Sequence, residues 1–162
     1  MKACFIGHRN IDRTETLKSK LKETVLTLIN KGVTTFLFGG MSDFDKLSLE
    51  VVSELKNDYP LIKRIYVRSS FQHIDKFYEE YLLKSYEETY FPTIIENSGK
   101  YAYVERNYEM INNSKFCVFY YDKNHSPLSN NKTSSIRRSG TKIAYEYATK
   151  NKKEIVNIYE II

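Results

Sequence analysis

Three short segments of this chain combine glycine with hydroxyl or basic side chains: Gly7-His8-Arg9, Gly39-Gly40-Met41-Ser42 and Ser139-Gly140-Thr141. Such turns suit an oxyanion. Glycine lets the main chain come close to a phosphate, and a helix that opens after it offers unpaired N–H groups at the positive end of its dipole. Arg9 could clamp a phosphate through its planar fork, and His8 could donate to a sugar or base. Neither the Gly-x-x-x-x-Gly-Lys-Ser/Thr phosphate loop nor the Gly-x-Gly-x-x-Gly dinucleotide turn is present. A glycine after a strand also serves any tight turn. It is the recurrence of three on one predicted edge that carries the phosphate reading.

Other residues are candidates with plain alternatives. Asp43 and Asp45 follow the second glycine pair. Asp43 reads as a helix cap, whereas Asp45 could cap, bind ribose hydroxyls or act as an acid/base group. Glu105-Arg106-Asn107 is placed at the start of a short helix, where Arg106 could reach a phosphate and Asn107 could bond within the turn. An exposed Arg–Glu pair at a helix end is the alternative, and it would contribute little. Arg137 and Arg138 adjoin Ser139-Gly140-Thr141 and would suit a pyrophosphate or cyclic dinucleotide, or they are loop charges. His73 and His125 have no partner at meaningful spacing and read as surface residues.

These turns need strands to hold them on one edge. Ala3–Ile6, Thr34–Phe38, Ile62–Val67, Lys115–Tyr121 and Glu154–Ile158 read as strands, rich in apolar and β-branched or aromatic residues. Asp12 and Glu15 have the spacing of a capping box. Leu17, Leu21, Val25 and Leu28 then mark one helix, and Phe44, Leu47, Val51 and Leu55 a second. Tyr103–Asn113 reads as a short helix with Tyr108 and Ile111 inward, and the last helix opens at Gly140-Thr141 with Ala144, Tyr147 and Ala148 inward. Phe77, Tyr81 and Ser85 suggest a helix inside residues 69–98, broken by Pro92. The polar stretch 122–139 reads as a long mobile loop, either a binding lid or a plain insertion. The alternation of strand and helix predicts an α/β class, as a single-domain Rossmann-like three-layer fold over residues 1–162 with a mostly parallel sheet. In such sheets ligands bind outside the carboxyl ends of the strands.

Composition sets bounds. Apolar residues are 41% of the 162, enough for one sizeable core, and 14 Tyr with 9 Phe but no Trp place many rings at the core's rim. The net charge of +5 is compatible with phosphate-bearing partners, but the lysines are dispersed rather than gathered on one stripe. Cys4 and Cys117 lie in apolar runs and read as small buried hydrophobes, with no metal-ligand spacing. No stretch reaches the ~20 apolar residues that span a bilayer, and no signal segment opens the chain. A cytoplasmic setting without membrane contact is expected, with no metal and no cofactor.

The order of motifs resembles the YpsA-like branch of the SLOG superfamily, whose relatives include the LOG phosphoribohydrolases and the DprA-type Rossmann-like domain. Phe5-Ile6-Gly7-His8-Arg9, then Phe38-Gly39-Gly40-Met41-Ser42-Asp43-Phe44-Asp45, then Arg106-Asn107-Tyr108-Glu109-Met110-Ile111, and finally Ser139-Gly140-Thr141 carry the resemblance over nearly the whole chain. It implies a pocket for a nucleotide or nucleotide-derived small molecule, built from Gly7, His8, Arg9, Gly39, Gly40, Ser42, Arg106, Asn107, Arg138, Ser139, Gly140 and Thr141. Two departures matter. Arg138-Ser139 precedes Gly140 where the family usually has further glycines, and Ile143 stands where the hydrolase branch places a glutamate. Glycosidic cleavage wants a placed carboxylate. A sensor or binding domain is therefore the first expectation. An N-glycosidic hydrolase or transferase using Asp45 or Glu105 is the second, and a single-stranded nucleic-acid binder the third. A homo-oligomer stays open.

Overall fold

Ala3, Cys4, Phe5 and Ile6 are buried without the in–out alternation of a half-exposed strand, so their strand must be covered on both faces. The computed structural model, which describes residues 1–125 and 139–162, shows how. Six strands form one parallel sheet: β1 (Lys2–Gly7), β2 (Thr35–Phe38), β3 (Lys63–Val67), β4 (Glu88–Tyr90), β5 (Phe116–Tyr120) and β6 (Glu154–Asn157), in the order β4-β3-β2-β1-β5-β6. Cys4 pairs in register with Leu37 on one side and Cys117 on the other, and both cysteines are free and buried.

Alternate residues of each strand feed two separate cores. Ala3, Phe5, Phe36, Phe38, Phe116 and Val118 face one layer, with Phe5 stacked on Phe36 and Phe38. That layer holds α1 (Glu15–Asn30) and α2 (Asp43–Leu55), which contribute Leu17, Leu21, Val25 and Leu28, and Phe44, Leu47, Val51 and Leu55. Cys4, Ile6, Leu37, Cys117 and Phe119 face the other layer, against Met110 and Ile111 of α4 (Lys100–Asn112) and Ala144 and Ala148 of α5 (Gly140–Lys150). The expected three-layer α/β fold is therefore present. Among the described residues, no helix is long and apolar enough to cross a membrane.

Several expectations are corrected. The hydroxyl of Thr14, not Asp12, caps α1 and accepts from the Leu17 N–H at 3.1 Å. Residues 69–98 contain α3 (Lys76–Leu82) and the edge strand β4, which is too short to show a period of two in the sequence. Phe77 and Tyr81 locate α3, but their rings point to solvent and only Leu82 is buried. Helix α4 begins three residues before Tyr103, so Glu105, Arg106 and Asn107 lie mid-helix rather than at an exposed end. Ile111 is buried as expected, while Tyr108 is half-buried and stacks on Tyr147 at 3.9 Å between ring centroids.

The chain runs outward from β1 through β2 and β3 to β4, then crosses back to place β5 on the other side of β1. The crevice at the carboxyl ends of β1 and β5 is thus a topological switch point, where an open α/β sheet has room for a ligand.

Candidate functional site

A cavity of about 510 Å³ opens at that switch point, within the range of small-molecule sites. Four elements meet there: the turn after β1, the start of α2, one face of α4 and the start of α5.

The first two are tied together by the backbone. The Asp43 N–H donates to the Arg9 carbonyl at 2.8 Å. Ser42, rather than Asp43, caps α2: its hydroxyl accepts from the Asp45 N–H at 2.9 Å, and the Asp45 carboxylate accepts from the Ser42 N–H and hydroxyl at 3.2 and 2.9 Å. The other Asp45 oxygen lies 3.4 Å from the Gly39 N–H. Asp45 is thereby a capping residue at the cavity wall, the choice that its position in the sequence left open.

Arg106 enters from α4 and is 5% exposed. Its Nη1 donates to the Gly39 carbonyl at 2.7 Å, its Nε donates to the Asn107 side chain at 3.0 Å, and its guanidinium lies 5.8 Å from the centre of the Tyr103 ring. Among the described residues no carboxylate comes within ion-pair distance, and Nη2 has no hydrogen-bond partner. Burial pushes its pKa down, and the more distant Asp45 only partly offsets this. A buried cation without a counter-charge is costly, and here it borders a cavity.

His8 is 3% exposed. Its Nε2 accepts from the Asp122 N–H at 2.9 Å, which makes Nδ1 the protonated nitrogen of the neutral ring. Burial, with the nearby His125 adding to it, lowers the pKa of His8 from 6.5 to about 4. The ring is therefore an uncharged donor at neutral pH. His125 is exposed, as expected of a surface residue, but it has a partner that its spacing did not show: it stacks on His8 at 4.0 Å and lines the cavity. Ser139 caps α5, accepting from the Lys142 N–H at 3.0 Å, and Gly140 and Thr141 form the first turn at the cavity wall.

Of the residues singled out in the sequence, Gly7, His8, Arg9, Ser42, Asp45, Arg106, Asn107, Ser139, Gly140 and Thr141 meet around this one hollow. Gly39 and Gly40 do not line it. Gly39 lies against Arg106, and Gly40 adopts φ +74 beside Tyr66. Glu105 is turned away and accepts from the Asn97 backbone and side chain at 3.2 and 2.8 Å. Arg137 and Arg138 lie outside the described residues. The sequence reading missed Met41, Lys100, Tyr103, Met110 and His125 as lining residues. The helical spacing of Lys100, Tyr103, Asn107 and Met110 was the available signal, hidden by starting α4 too late. Arg9, Lys100 and Arg106 against Asp45 alone leave the described lining net positive. Among the described residues no cluster of His, Cys, Asp and Glu could hold a metal ion.

Comparison with known proteins agrees with this fold. The family model described as YspA SLOG family (YpsA) matches residues 5–155. No curated protein matches the chain. Among solved structures, one described for the single-stranded DNA binding mode of DNA processing protein A from Helicobacter pylori superposes with a TM-score of 0.57 at 18% identity. The match covers 96% of this chain and 63% of that one, and it speaks to the fold alone.

Proposed function

Because this chain belongs to the YspA SLOG family, we propose that the hollow between β1 and β5 binds a nucleotide or nucleotide-derived ligand through its phosphate, as a sensor or binding domain rather than a hydrolase. The observation that carries this reading is Arg106: a buried guanidinium with, among the described residues, no carboxylate partner and a free Nη2, lining the same hollow as the first turn of α5. An anion supplied by a ligand would complete its coordination, with the Gly140 and Thr141 N–H groups, unpaired among the described residues, as further donors. The neutral His8 suits a sugar or base oxygen, and Tyr103 and His125 offer ring surface.

Binding is favoured over N-glycosidic cleavage because Asp45 is the one carboxylate lining the hollow among the described residues, and its oxygens already serve the α2 cap. Glu105 points elsewhere. A single-stranded nucleic acid is the second reading. It rests on the fold shared with the Helicobacter pylori protein and on the same phosphate chemistry.

Thermal-shift screening of the full chain against nucleoside mono- and diphosphates tests the proposal, since a ligand that binds only the folded state raises the melting temperature. A nucleotide that stabilises the wild type and not Arg106→Lys supports it. Release of free base from nucleoside monophosphates, lost in Asp45→Ala, would favour the hydrolase instead. Binding of oligothymidylate that weakens steeply with salt would favour the nucleic-acid reading.

A further inference from the structure

Helix α3 turns almost its whole surface outward. Phe77 is 83% and Tyr81 62% exposed, and in the loop before the helix Phe71 is 71% exposed. Phe71 also has φ +58, a backbone region that a bulky side chain rarely adopts. Arg68, itself buried, holds this conformation: its Nε and Nη2 lie 3.4 Å from the carbonyls of Phe71 and Gln72, and its Nη1 donates to the Thr89 hydroxyl at 3.1 Å. Strain kept in place by a buried guanidinium, with an aromatic ring displayed at the end, is the kind of outlier that accompanies ligand contact. Phe71 meets Tyr78 edge-on, and Tyr78 stacks with Tyr81 at 6.3 Å, so these three rings form one continuous strip, with Phe77 exposed on the same short helix.

We propose that α3 and the loop before it are a docking surface for an arginine-rich protein segment. Charge decides the occupant. In a chain of net charge +5, residues 69–99 carry Asp75, Glu79, Glu80, Glu87, Glu88 and Glu96 against only Lys76 and Lys84. Glu87 and Glu88 are already paired, with Arg64 and Lys63. Glu79 has no ion partner among the described residues, and Glu80 has only a 3.9 Å contact with Lys76 on the same helix. Aromatic faces beside unspent carboxylates suit guanidinium groups, which stack on rings and pair with carboxylates at once. The same carboxylates repel a nucleic acid, which would otherwise use exposed rings as a stacking platform. They also oppose two-fold pairing of α3 with a second copy, which would set Glu79 and Glu80 against themselves. This surface is independent of the cavity between β1 and β5.

The test uses the full chain and an oligo-arginine peptide, read by fluorescence anisotropy, with oligo-glutamate and oligothymidylate as controls. The peptide binds the wild type, and the Phe77→Ser/Tyr81→Ser and Glu79→Lys/Glu80→Lys double variants each weaken it about tenfold or more, the scale of losing an interface anchor. All four side chains are exposed, so the melting temperatures of the variants stay at the wild-type value. The proposal is overturned by any of four results: no peptide binding to the wild type, equal affinity in both variants, oligothymidylate binding that the aromatic variant abolishes, or wild-type self-association in sedimentation that the aromatic variant abolishes.

Discussion

The guanidinium of Arg106 occupies the space where residue 39 would carry a side chain. A β-carbon at Gly39 would fall 2.6 Å from Cζ, 2.7 Å from Nη1 and 2.9 Å from Nη2, while Nη1 donates 2.7 Å to the Gly39 carbonyl. The turn after β2 is thus shaped around an arginine from α4, sixty-seven positions along the chain. The first prediction follows from this contact. Gly39→Ala forces the end of a flexible side chain aside rather than the backbone, so the stability loss is modest, about 1–3 kcal/mol. The displaced guanidinium no longer faces the hollow as before. Nucleotide-dependent stabilisation in a thermal-shift assay therefore falls much further than the unliganded melting temperature. Equal losses of both would show that Arg106 does not hold the ligand.

Replacing the arginine itself separates binding from folding in the opposite way. Arg106→Met gives up the hydrogen bond to the Gly39 carbonyl, at a cost of about 1–3 kcal/mol. It also removes a buried cation that has no ion-pair partner among the described residues and only the more distant Asp45 as counter-charge, which offsets part of that loss. Unliganded stability by denaturant titration is expected to stay within about 1–2 kcal/mol of wild type, while nucleotide no longer shifts the midpoint. A variant that is unfolded without ligand would mean that Arg106 is a structural post.

These two variants also show what could be read in advance and what could not. Buried parallel strands announce themselves, because covering both faces makes them continuously apolar, as in Ala3–Ile6 and Phe116–Tyr120. The glycine turns at their ends were legible for the same reason. The pairing of Gly39 with Arg106 was not, since nothing local in either segment encodes a contact across that separation. Tertiary packing likewise moved the start of α4, made a cap of Ser42 rather than Asp43, and set His125 on His8. In residues 69–98 Phe77 and Tyr81 face solvent while Leu82 and Tyr86 are buried, so the spacing of Phe77 and Tyr81 locates α3 without marking its buried side.

His8 makes stability depend on pH. Its folded pKa is lowered from 6.5 to about 4, first by burial and then by His125. Between those values the unfolded chain takes up a proton that the folded chain refuses, so folding stability rises with pH. The contribution of His8 is complete above about pH 6.5 and is lost as pH falls toward 4. Protonation at Nε2 must also break the hydrogen bond from the Asp122 N–H. His8→Gln keeps an acceptor and removes the titration. The difference in unfolding free energy between wild type and variant should therefore slope with pH only between about 6.5 and 4. A flat difference across that interval contradicts the assignment, as does an imidazole resonance for His8 that titrates near 6.5.

Gly7 and Gly140 look alike in the sequence, each at a turn on the ligand edge, but they should respond oppositely to alanine. A β-carbon at Gly7 would meet Phe44 at 2.5–2.6 Å, and Phe44 is fully buried against Phe5 and Tyr120. Because the obstacle is a core ring, Gly7→Ala should cost about 1–3 kcal/mol or more. At Gly140 no described residue lies within 4 Å of the added carbon and φ is not positive. As the first residue of α5, alanine there should leave stability unchanged or raise it by up to about 1 kcal/mol. Because Gly140 lines the hollow, the added methyl would narrow the approach of a phosphate oxygen to the helix N-terminus. Gly140→Ala should thus fold at least as well as wild type in denaturant titration and bind nucleotide more weakly. Full retention of nucleotide binding in that variant would remove the α5 N-terminus from the site and leave the anion to Arg106 alone.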